Sequence, residues 1–271
     1  PEINNRSKDF FYTALTDYPE IADTVIGLVT KRLPGYTGVA PMDIQVLAAL
    51  KSGVCGVENI NKRLQEAINP RVYGKNEITV GNNLFRVGDK VMQTVNDYEL
   101  PFVKYGEGAP EEGQGVFNGD IGTVKSIDRA NGIVEVWYDD NRLATYGEAD
   151  LSDLQLAYAI TIHKSQGSEF DVVVIPLISG PPTLINKNLL YTAITRAKRA
   201  VVIVGSKKIL AMMVHNNYIA ARTTNLCRFL QEEQTKYLRY FSAEARNNQS
   251  APLDEYDGGM PLDFDAEDLL Q

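Results

Sequence analysis

The sequence predicts an α/β protein in which a parallel sheet flanked by helices is interrupted by a small β-barrel. Two short apolar runs rich in β-branched residues, 171–175 and 200–205, predict buried parallel strands, because both faces of such strands are covered. A polar stretch at 161–170 precedes the first run, and a basic helical stretch at 189–199 precedes the second. This order is that of a βαβ unit. Between about residues 84 and 150 the apolar period changes to two, which predicts the barrel.

The first part of the chain alternates strands and helices, as a parallel sheet requires. The apolar positions of one helix follow i, i+1, i+4, i+7 and i+8, which is the spacing of an amphipathic helix. The Pro-Gly pair at 34–35 should end this helix, and the Asn-Pro pair at 69–70 should stop the next one. The predicted elements are a strand at 8–13, a helix at 20–32, a strand at 43–49 and a helix at 57–68.

Turn residues divide the barrel into short strands. Strands are expected around 85–93 and from 119, and the Asn-Gly pair at 131–132 favours a tight hairpin turn. Residues 133–138 alternate as a half-buried strand does, and a turn at 139–141 precedes a last strand at 143–146. The sequence G-E-G-A-P-E-E-G-Q-G at 106–115 predicts a flexible loop within the barrel.

The acidic charge of the chain is concentrated at one end. The net charge is −8, and seven of the 35 acidic residues lie in 251–271, a stretch without any base. The rest of the chain is therefore close to neutral, which is compatible with a local basic groove. Residues 241–271 are predicted to form an acidic, disordered tail, and their scattered apolar residues leave docking on a protein partner open.

Neither a membrane segment nor a metal site is predicted. No apolar run approaches the roughly 20 residues of a membrane span, and the chain opens on Pro1 without a targeting segment. We interpret it as a piece of a longer cytoplasmic protein. The two cysteines, Cys55 and Cys227, have no metal or redox spacing, and the two histidines, His163 and His215, stand apart in the sequence.

Two motifs carry a specific resemblance. T-I-H-K-S-Q-G-S-E-F at 161–170 resembles motif V of superfamily 1 helicases, and L-L-Y-T-A-I-T-R-A-K-R at 189–199 resembles motif VI. The first has the form of the RecD-like branch, with Pif1-type and conjugative relaxase helicases as cousins. I-N-K-R-L-Q at 60–65 resembles the L-N-x-x-L-Q of the motif IV region. The resemblance spans about residues 8–205 and implies the C-terminal part of such an enzyme.

The resemblance also implies a domain organisation. The fold would be a RecA-like second motor domain whose chain is interrupted by an SH3-like barrel. The implied parts are the first part of the motor domain at 1–83, the barrel insertion at 84–150, the second part of the motor domain at 151–240 and the acidic tail at 241–271.

A nucleotide site is implied at the wall formed by motifs V and VI. Arg196 matches the motif VI arginine, expected to stabilise charge on the γ-phosphate of ATP. Glu169 matches the carboxylate that relatives place on the ribose hydroxyls, Gly167 would admit the backbone close to the nucleotide, and Gln166 would couple ATP to DNA. The chain has no G-x-x-x-x-G-K-[ST] loop, so the phosphate-binding lysine and the residues that hold Mg²⁺ are expected on an N-terminal motor domain.

Structural roles remain open for the same residues. Arg196 could be a helix arginine in a surface salt bridge, and Glu169 could be a charge at a helix start. Lys198 and Arg199 are predicted to be exposed helix charges. Relatives often carry a basic residue late in the loop before 57–68, but here Lys51 is followed by Ser52, which does not support a phosphate contact from that loop.

Six residues are expected to face single-stranded DNA. They are Thr161, His163 and Lys164 in motif V and Asn96, Tyr98 and Asn118 in the barrel. Short polar side chains suit phosphate contacts, and an exposed tyrosine can stack on a base. The barrel residues belong to a pattern that resembles the family's V-M-Q…N-D-Y…F-N-G-D-I-G, although turn structure would explain them equally well.

The leading hypothesis is the C-terminal motor half of an ATP-dependent 5′–3′ DNA helicase of the RecD-like type. Its implied partners are ATP, Mg²⁺, single-stranded DNA and its own N-terminal motor domain, and a RecBCD-like nuclease complex is left open. The direction of movement follows from the resemblance alone. The alternatives are a relaxase or Pif1-type helicase fragment, and a non-catalytic module that binds nucleic acid or docks on a partner.

Overall fold

The computed structural model describes residues 9–74, 76–216, 218 and 225–247. The strands are β1 (Phe10–Ala14), β2 (Ile44–Ala48), β3 (Glu77–Val80), β4 (Asn83–Arg86), β5 (Lys90–Gln93), β6 (Asp97–Lys104), β7 (Glu111–Val116), β8 (Ile121–Asp128), β9 (Ile133–Tyr138), β10 (Arg142–Tyr146), β11 (Leu154–Leu156), β12 (Ala159–Thr161), β13 (Phe170–Leu177) and β14 (Ala197–Gly205). The helices are α1 (Tyr18–Gly27), α2 (Leu33–Thr37), α3 (Val57–Ile68), α4 (Lys187–Ile194), α5 (Lys207–His215) and α6 (Leu226–Asn247). Short 3₁₀ helices span Asp150–Asp153 and His163–Ser165.

Five parallel strands form the central sheet in the order β1-β14-β13-β2-β12. Alternate residues of β13 enter two different cores, since successive side chains point to opposite faces. Val172 and Val174 share a core with residues of α1 and α3. Val173 and Ile175 share the other core with residues of α4 and α5. The predicted parallel sheet with helices on both faces is thereby confirmed.

The barrel is a seven-stranded antiparallel sheet in the order β11-β5-β8-β9-β10-β6-β7. Strand β9 alternates as predicted, with Val134, Val136 and Tyr138 buried. The predicted loop at 106–115 is partly wrong, because β7 begins inside it and pairs with β6. A Cβ at Gly113 would lie 2.5 Å from the Phe102 ring, so the glycine makes room on β7 for this ring of β6.

The first helical region is longer than predicted. A π-helical turn, Leu28–Arg32, joins α1 to α2, so the chain stays helical as far as Thr37. The prediction that the Pro-Gly pair at 34–35 ends the helix is wrong, because Pro34 lies in the first turn of α2, where the missing N–H is not needed. The helix ends instead at Gly38, whose φ of 72° is left-handed.

Buried amide side chains of α3 close the base of the barrel insertion. Asn61 Nδ2 donates to the carbonyl oxygens of Leu156 and Ala159, each at 2.9 Å. Its Oδ1 accepts the Ala159 N–H at 2.7 Å. Gln65 Nε2 donates to the Leu84 carbonyl oxygen at 2.8 Å on the other side of the insertion. Helix α3 therefore binds both the segment that enters the barrel insertion and the segment that leaves it.

A buried carboxylate completes this base. Asp89 accepts hydrogen bonds from Gln65, Asn69, the Arg86 N–H and the Tyr158 hydroxyl. Burial raises the pKa of Asp89, and the four hydrogen bonds oppose that shift. Within the segment that resembles the motif IV region, the buried Asn61 and Gln65 thus build the joint between sheet and barrel.

Helix α6 belongs to a second compact unit and is described on its own. It runs to Asn247 and so includes the first residues of the predicted acidic tail. Residues 248–271, like residues 1–8, lie outside the described part, and the domain boundaries given above stay a prediction. Among the described residues, no helix is both long enough and apolar enough to cross a membrane.

Candidate nucleotide edge and candidate DNA edge

Motif V runs from one end of the parallel sheet to the other. Ala159 and Val174 both pair with Val46, so Thr161 lies two residues beyond that level at the carboxyl ends of the strands. Phe170 lies four residues before it, at the amino ends. With a rise of about 3.3 Å per residue, the two ends of the motif are roughly 20 Å apart along the strands. We call the amino ends the nucleotide edge and the carboxyl ends the DNA edge, after the predictions they carry.

Arg196 lies at the nucleotide edge, in the turn between α4 and β14. Its Nη1 donates to the Ser168 carbonyl oxygen at 3.0 Å, and its own carbonyl oxygen accepts the Phe170 N–H at 2.8 Å. The Arg196 Nε is buried and has no hydrogen-bond partner among the described residues. Arg196 also forms no ion pair within the described part, so the predicted alternative of a surface salt bridge is not what the structure shows.

The other nucleotide-site residues precede Phe170. Gly167 has a φ of 90°, which side chains rarely adopt, and a Cβ there would meet open space. The backbone conformation at position 167 therefore requires a glycine, and the space beside this glycine is open. Gln166 is exposed and lines a small cavity of about 140 Å³ with His163 and Thr192, which brings motif V against α4.

Two ion pairs connect motif V and the residue that follows it to β14. Glu169 Oε2 lies 3.6 Å from Lys198 Nζ, and Asp171 Oδ2 lies 3.5 Å from Arg199 Nη1. The prediction that Lys198 and Arg199 are helix charges is wrong, because α4 ends at Ile194 and both residues belong to β14. All four side chains are about half exposed or more, so the pairs hold the carboxylates without removing them from solvent.

A cleft of about 620 Å³ lies between the nucleotide edge and the barrel. Its walls include Ser168, Glu169 and Phe170 from motif V and Lys90 from β5. Its charge is dominated by six carboxylates, those of Asp43, Asp120, Asp139, Asp140, Glu169 and Asp171. The cations in its lining are Arg142 and the buried Lys90.

Thr161, His163 and Lys164 come together at the DNA edge. Thr161 Oγ1 accepts the Lys164 N–H at 3.3 Å, and His163 is exposed at the start of the 3₁₀ turn. The pKa of Lys164 is lowered by burial and by the cation of Lys51. Lys51 therefore lies close to motif V, although the sequence did not support a role for its loop.

The three predicted barrel residues form an exposed patch. The Asn118 N–H donates to Asn96 Oδ1 at 2.9 Å, and the Tyr98 ring lies edge-on to Phe117 at 5.6 Å between centroids. Tyr98 is 68% exposed and Phe117 is 42% exposed. No hydrogen bond, ion pair or ring contact joins this patch to Thr161 or His163 within the described residues.

Sequence reasoning missed Lys90 and the structural role of Asn61 and Gln65. Asn61 and Gln65 follow the buried Ile60 and Leu64 directly, so two amides spaced i, i+4 beside an apolar stripe were the available signal. Lys90 begins a strand in which every residue is buried, and a lysine in such a strand requires a partner. Neither signal identifies the partner.

A polar loop that links two edges of a parallel sheet, followed by an arginine after the next helix, agrees with the resemblance to a helicase motor domain. Residues 156–204 match the UvrD-like helicase C-terminal domain. Residues 60–138 match the SH3 domain of ATP-dependent RecD-like DNA helicases. Together with the curated relatives, these two matches support a C-terminal part of a RecD-like superfamily 1 helicase.

Curated relatives agree with this assignment. The chain is 33% identical over 173 residues to the ATP-dependent RecD2 DNA helicase of Deinococcus radiodurans, over 64% of this chain and 21% of the relative. It is 32% identical over 163 residues to the RecBCD enzyme subunit RecD of Mycolicibacterium smegmatis, over 60% of this chain and 25% of the relative. The chain therefore spans about a quarter or less of the length of these relatives.

Solved structures of Pif1 helicases show a weaker similarity. The Bacteroides Pif1 helicase in complex with ADP-AlF3 and ssDNA matches 82% of this chain and 55% of that chain, at 16% identity and a TM-score of 0.40. The Pif1 helicase of Candida albicans matches 81% of this chain and 58% of that chain, at 17% identity and a TM-score of 0.39.

Proposed function

We propose that this chain is the C-terminal motor half of an ATP-dependent DNA helicase that moves 5′ to 3′ on single-stranded DNA. The observation that carries the proposal is Arg196, whose half-buried guanidinium is held at the nucleotide edge by one hydrogen bond and forms no ion pair among the described residues. A planar cation with unused donors suits the oxygens of a phosphate that is being transferred. A guanidinium that only stabilised the fold would be expected to pair with a carboxylate, as those of Arg86 and Arg142 do.

ATP would bind between the nucleotide edge and the N-terminal motor domain. Arg196 would approach the γ-phosphate, and the open side of Gly167 would admit the nucleotide to the backbone. Glu169 would reach the ribose hydroxyls, which requires it to exchange its 3.6 Å ion pair with Lys198. Such an exchange costs little, because exposed ion pairs contribute about 0–1 kcal/mol. Bound Mg²⁺, held by the N-terminal motor domain, would neutralise charge on the phosphates.

Single-stranded DNA would lie at the DNA edge and cross the exposed patch on the barrel. The Lys51 and Lys164 cations lie near each other there and repel one another. A phosphate bound between them would offset this repulsion. Thr161 and His163 would position the strand through its phosphates, whereas Tyr98 and Phe117 offer ring surface to its bases. Gln166 lines a cavity with His163 and precedes Gly167 in the chain, so it would link the two sites.

A pair of variants in a longer helicase containing this chain tests the DNA path. His163→Ala and Asn96→Ala are each expected to weaken single-strand affinity several-fold, which fluorescence anisotropy at several salt concentrations measures. Contacts made mainly to phosphate should give binding that falls with salt and depends little on sequence. Asn96 is included because it fixes the backbone at Asn118 within the patch.

Matched controls are available for both positions. His215 lies on α5, and Asn82 is in an exposed turn before β4, so His215→Ala and Asn82→Ala should bind DNA normally. Normal binding by Asn96→Ala together with weak binding by His163→Ala would remove the barrel from the DNA path and favour a docking role for it. Association with a RecBCD-like complex is part of the same proposal and would be seen as co-purification with nuclease subunits.

A further inference from the structure

Lys90 is a buried cation that connects the barrel to the nucleotide edge. It is the first residue of β5 and is only 8% exposed. Its Nζ donates to the Met42 carbonyl oxygen at 2.7 Å, just before β2, and lies 5.9 Å from the centroid of the Phe170 ring. One side chain of the barrel therefore touches both the entry to β2 and the end of motif V.

The contacts continue from Lys90 to the arginine proposed for catalysis. The Phe170 N–H donates to the Arg196 carbonyl oxygen at 2.8 Å, and Arg196 Nη1 donates to the Ser168 carbonyl oxygen at 3.0 Å. Phe170 is thus packed under Lys90 on one side and hydrogen-bonded to Arg196 on the other. A displacement of Lys90 would be passed to Arg196 through one residue.

The contacts also continue from Lys90 toward the exposed patch on the barrel. Strand β5 runs from Lys90 to Gln93, and the Gln93 carbonyl oxygen accepts the Gly119 N–H at 3.0 Å. Gly119 follows Asn118, which is bound to Asn96. The strand is fully buried and paired with β8 and β11, so it forms a continuous packed connection between Lys90 and the patch.

The charge of Lys90 is costly to keep in this position. Burial lowers its pKa to about 8, against the opposing attraction of Asp43 and Asp139. Methionine has a similar length and would fill the same space without that penalty. What the ammonium adds is a directed bond to the Met42 carbonyl oxygen and attraction to the ring of Phe170.

We propose that Lys90 is a positioning residue that couples the barrel to the nucleotide edge, so that DNA bound on the barrel increases ATP hydrolysis through Phe170 and Arg196. The inference rests on the proposed function. It assigns Lys90 no contact with ATP or DNA and gives the barrel a regulatory effect on the motor. Lys90 should therefore change the response to DNA and leave the ATP site itself intact.

The test compares Lys90→Met, Lys90→Arg and the control Lys125→Met in a longer helicase containing this chain. Lys125 is an exposed lysine of β8 in the same barrel. Steady-state ATP hydrolysis is measured with and without single-stranded DNA. Lys90→Met should keep the basal rate and the KM for ATP but lose about tenfold of the DNA-stimulated kcat, a typical size for coupling between sites. Lys90→Arg and Lys125→Met should respond to DNA as the wild type does.

A pH profile gives a readout that a purely structural lysine would not change. The charged groups around Lys90 are Asp43 before β2, Asp139 and Asp140 after β9, Glu169 of motif V, Asp171 of β13, and Asp120 with its partner Arg142 in the barrel. Lys90 loses its proton as pH rises through about 8, so wild-type stimulation by DNA should fall between pH 7 and pH 9. Lys90→Arg should keep its stimulation over that interval, because a guanidinium stays charged.

Each outcome decides the proposal. It is overturned if folded Lys90→Met keeps full stimulation, or if the wild type and Lys90→Arg lose stimulation together as pH rises. Thermal unfolding shows whether Lys90→Met is folded, and if it is not, the comparison of pH profiles decides alone. A wild-type protein that hydrolyses no ATP with or without DNA would contradict the proposed function instead.

Discussion

Replacing Arg196 by alanine in a longer helicase that contains this chain is expected to lower DNA-stimulated ATP hydrolysis by about 10³–10⁵-fold. The guanidinium would stabilise charge that develops on the γ-phosphate in the transition state, so its removal should lower kcat far more than it weakens ATP binding. Single-strand affinity should remain nearly unchanged, since Arg196 lies at the nucleotide edge, roughly 20 Å along the strands from Thr161. ATP turnover and DNA binding are measured on the same preparation.

The local structure makes this variant a clean test. Arg196 holds its neighbours by one side-chain bond to the Ser168 carbonyl oxygen, and the Phe170 N–H bonds to the Arg196 backbone, which alanine retains. Arg199→Ala is the matched control, because it removes an exposed arginine three residues further along, in β14. Turnover near that of the wild type in Arg196→Ala would show that this arginine does not act on the phosphate, and the chain would then fit a non-catalytic module better.

Replacing Asn61 by leucine is expected to destabilise the chain by about 3 kcal/mol, or roughly a hundredfold in the folded-to-unfolded ratio. Leucine has a similar volume but leaves the carbonyl oxygens of Leu156 and Ala159, and the Ala159 N–H, without their present partner. Buried groups without partners carry most of this cost. Urea unfolding of the 271-residue chain, followed by circular dichroism, measures it.

Lys62→Ala is the control for this measurement. Lys62 is the next residue of α3 and is exposed, so its loss should change the free energy of unfolding by less than about 0.5 kcal/mol. An unchanged free energy of unfolding in Asn61→Leu would mean that water or a shifted backbone forms hydrogen bonds with the backbone groups of Leu156 and Ala159 instead. The base of the insertion would then be looser than the hydrogen bonds indicate.

The parallel sheet and the positions of motifs V and VI could be predicted from sequence because their signals are local. Runs such as 171–175 are short and rich in β-branched apolar residues, which is typical of strands that are buried on both faces. The end of α4 could not be predicted in the same way. Residues 195–199 keep helical spacing, but the Phe170 N–H binds the Arg196 carbonyl oxygen and starts a strand at Ala197. That bond joins two residues distant in sequence.

Contacts between residues distant in sequence also explain why β7 and the role of Lys90 were not predicted. Strand β7 forms in a glycine-rich, acidic stretch because β6 lies beside it, and nothing in 106–115 specifies that neighbour. Lys90 could be recognised as unusual in an apolar strand, but its partners Met42 and Phe170 are separated from it by 48 and 80 positions in the sequence. Patterns in one sequence identify faces and turns, whereas such pairs depend on the assembled fold.

The closed base of the barrel also bears on the order in which the chain can fold. Strands β2 and β12 are neighbours in the parallel sheet, yet the whole barrel lies between them in sequence. The Ala157 N–H donates to the Lys90 carbonyl oxygen at 2.8 Å, so a folded barrel brings its two ends together. Once it has formed, the loop that must close for β12 to reach β2 excludes residues 91–156, and its entropic cost falls accordingly. Early folding of the barrel therefore turns a distant strand pairing into a nearly local one, which favours assembly of the motor sheet after the barrel.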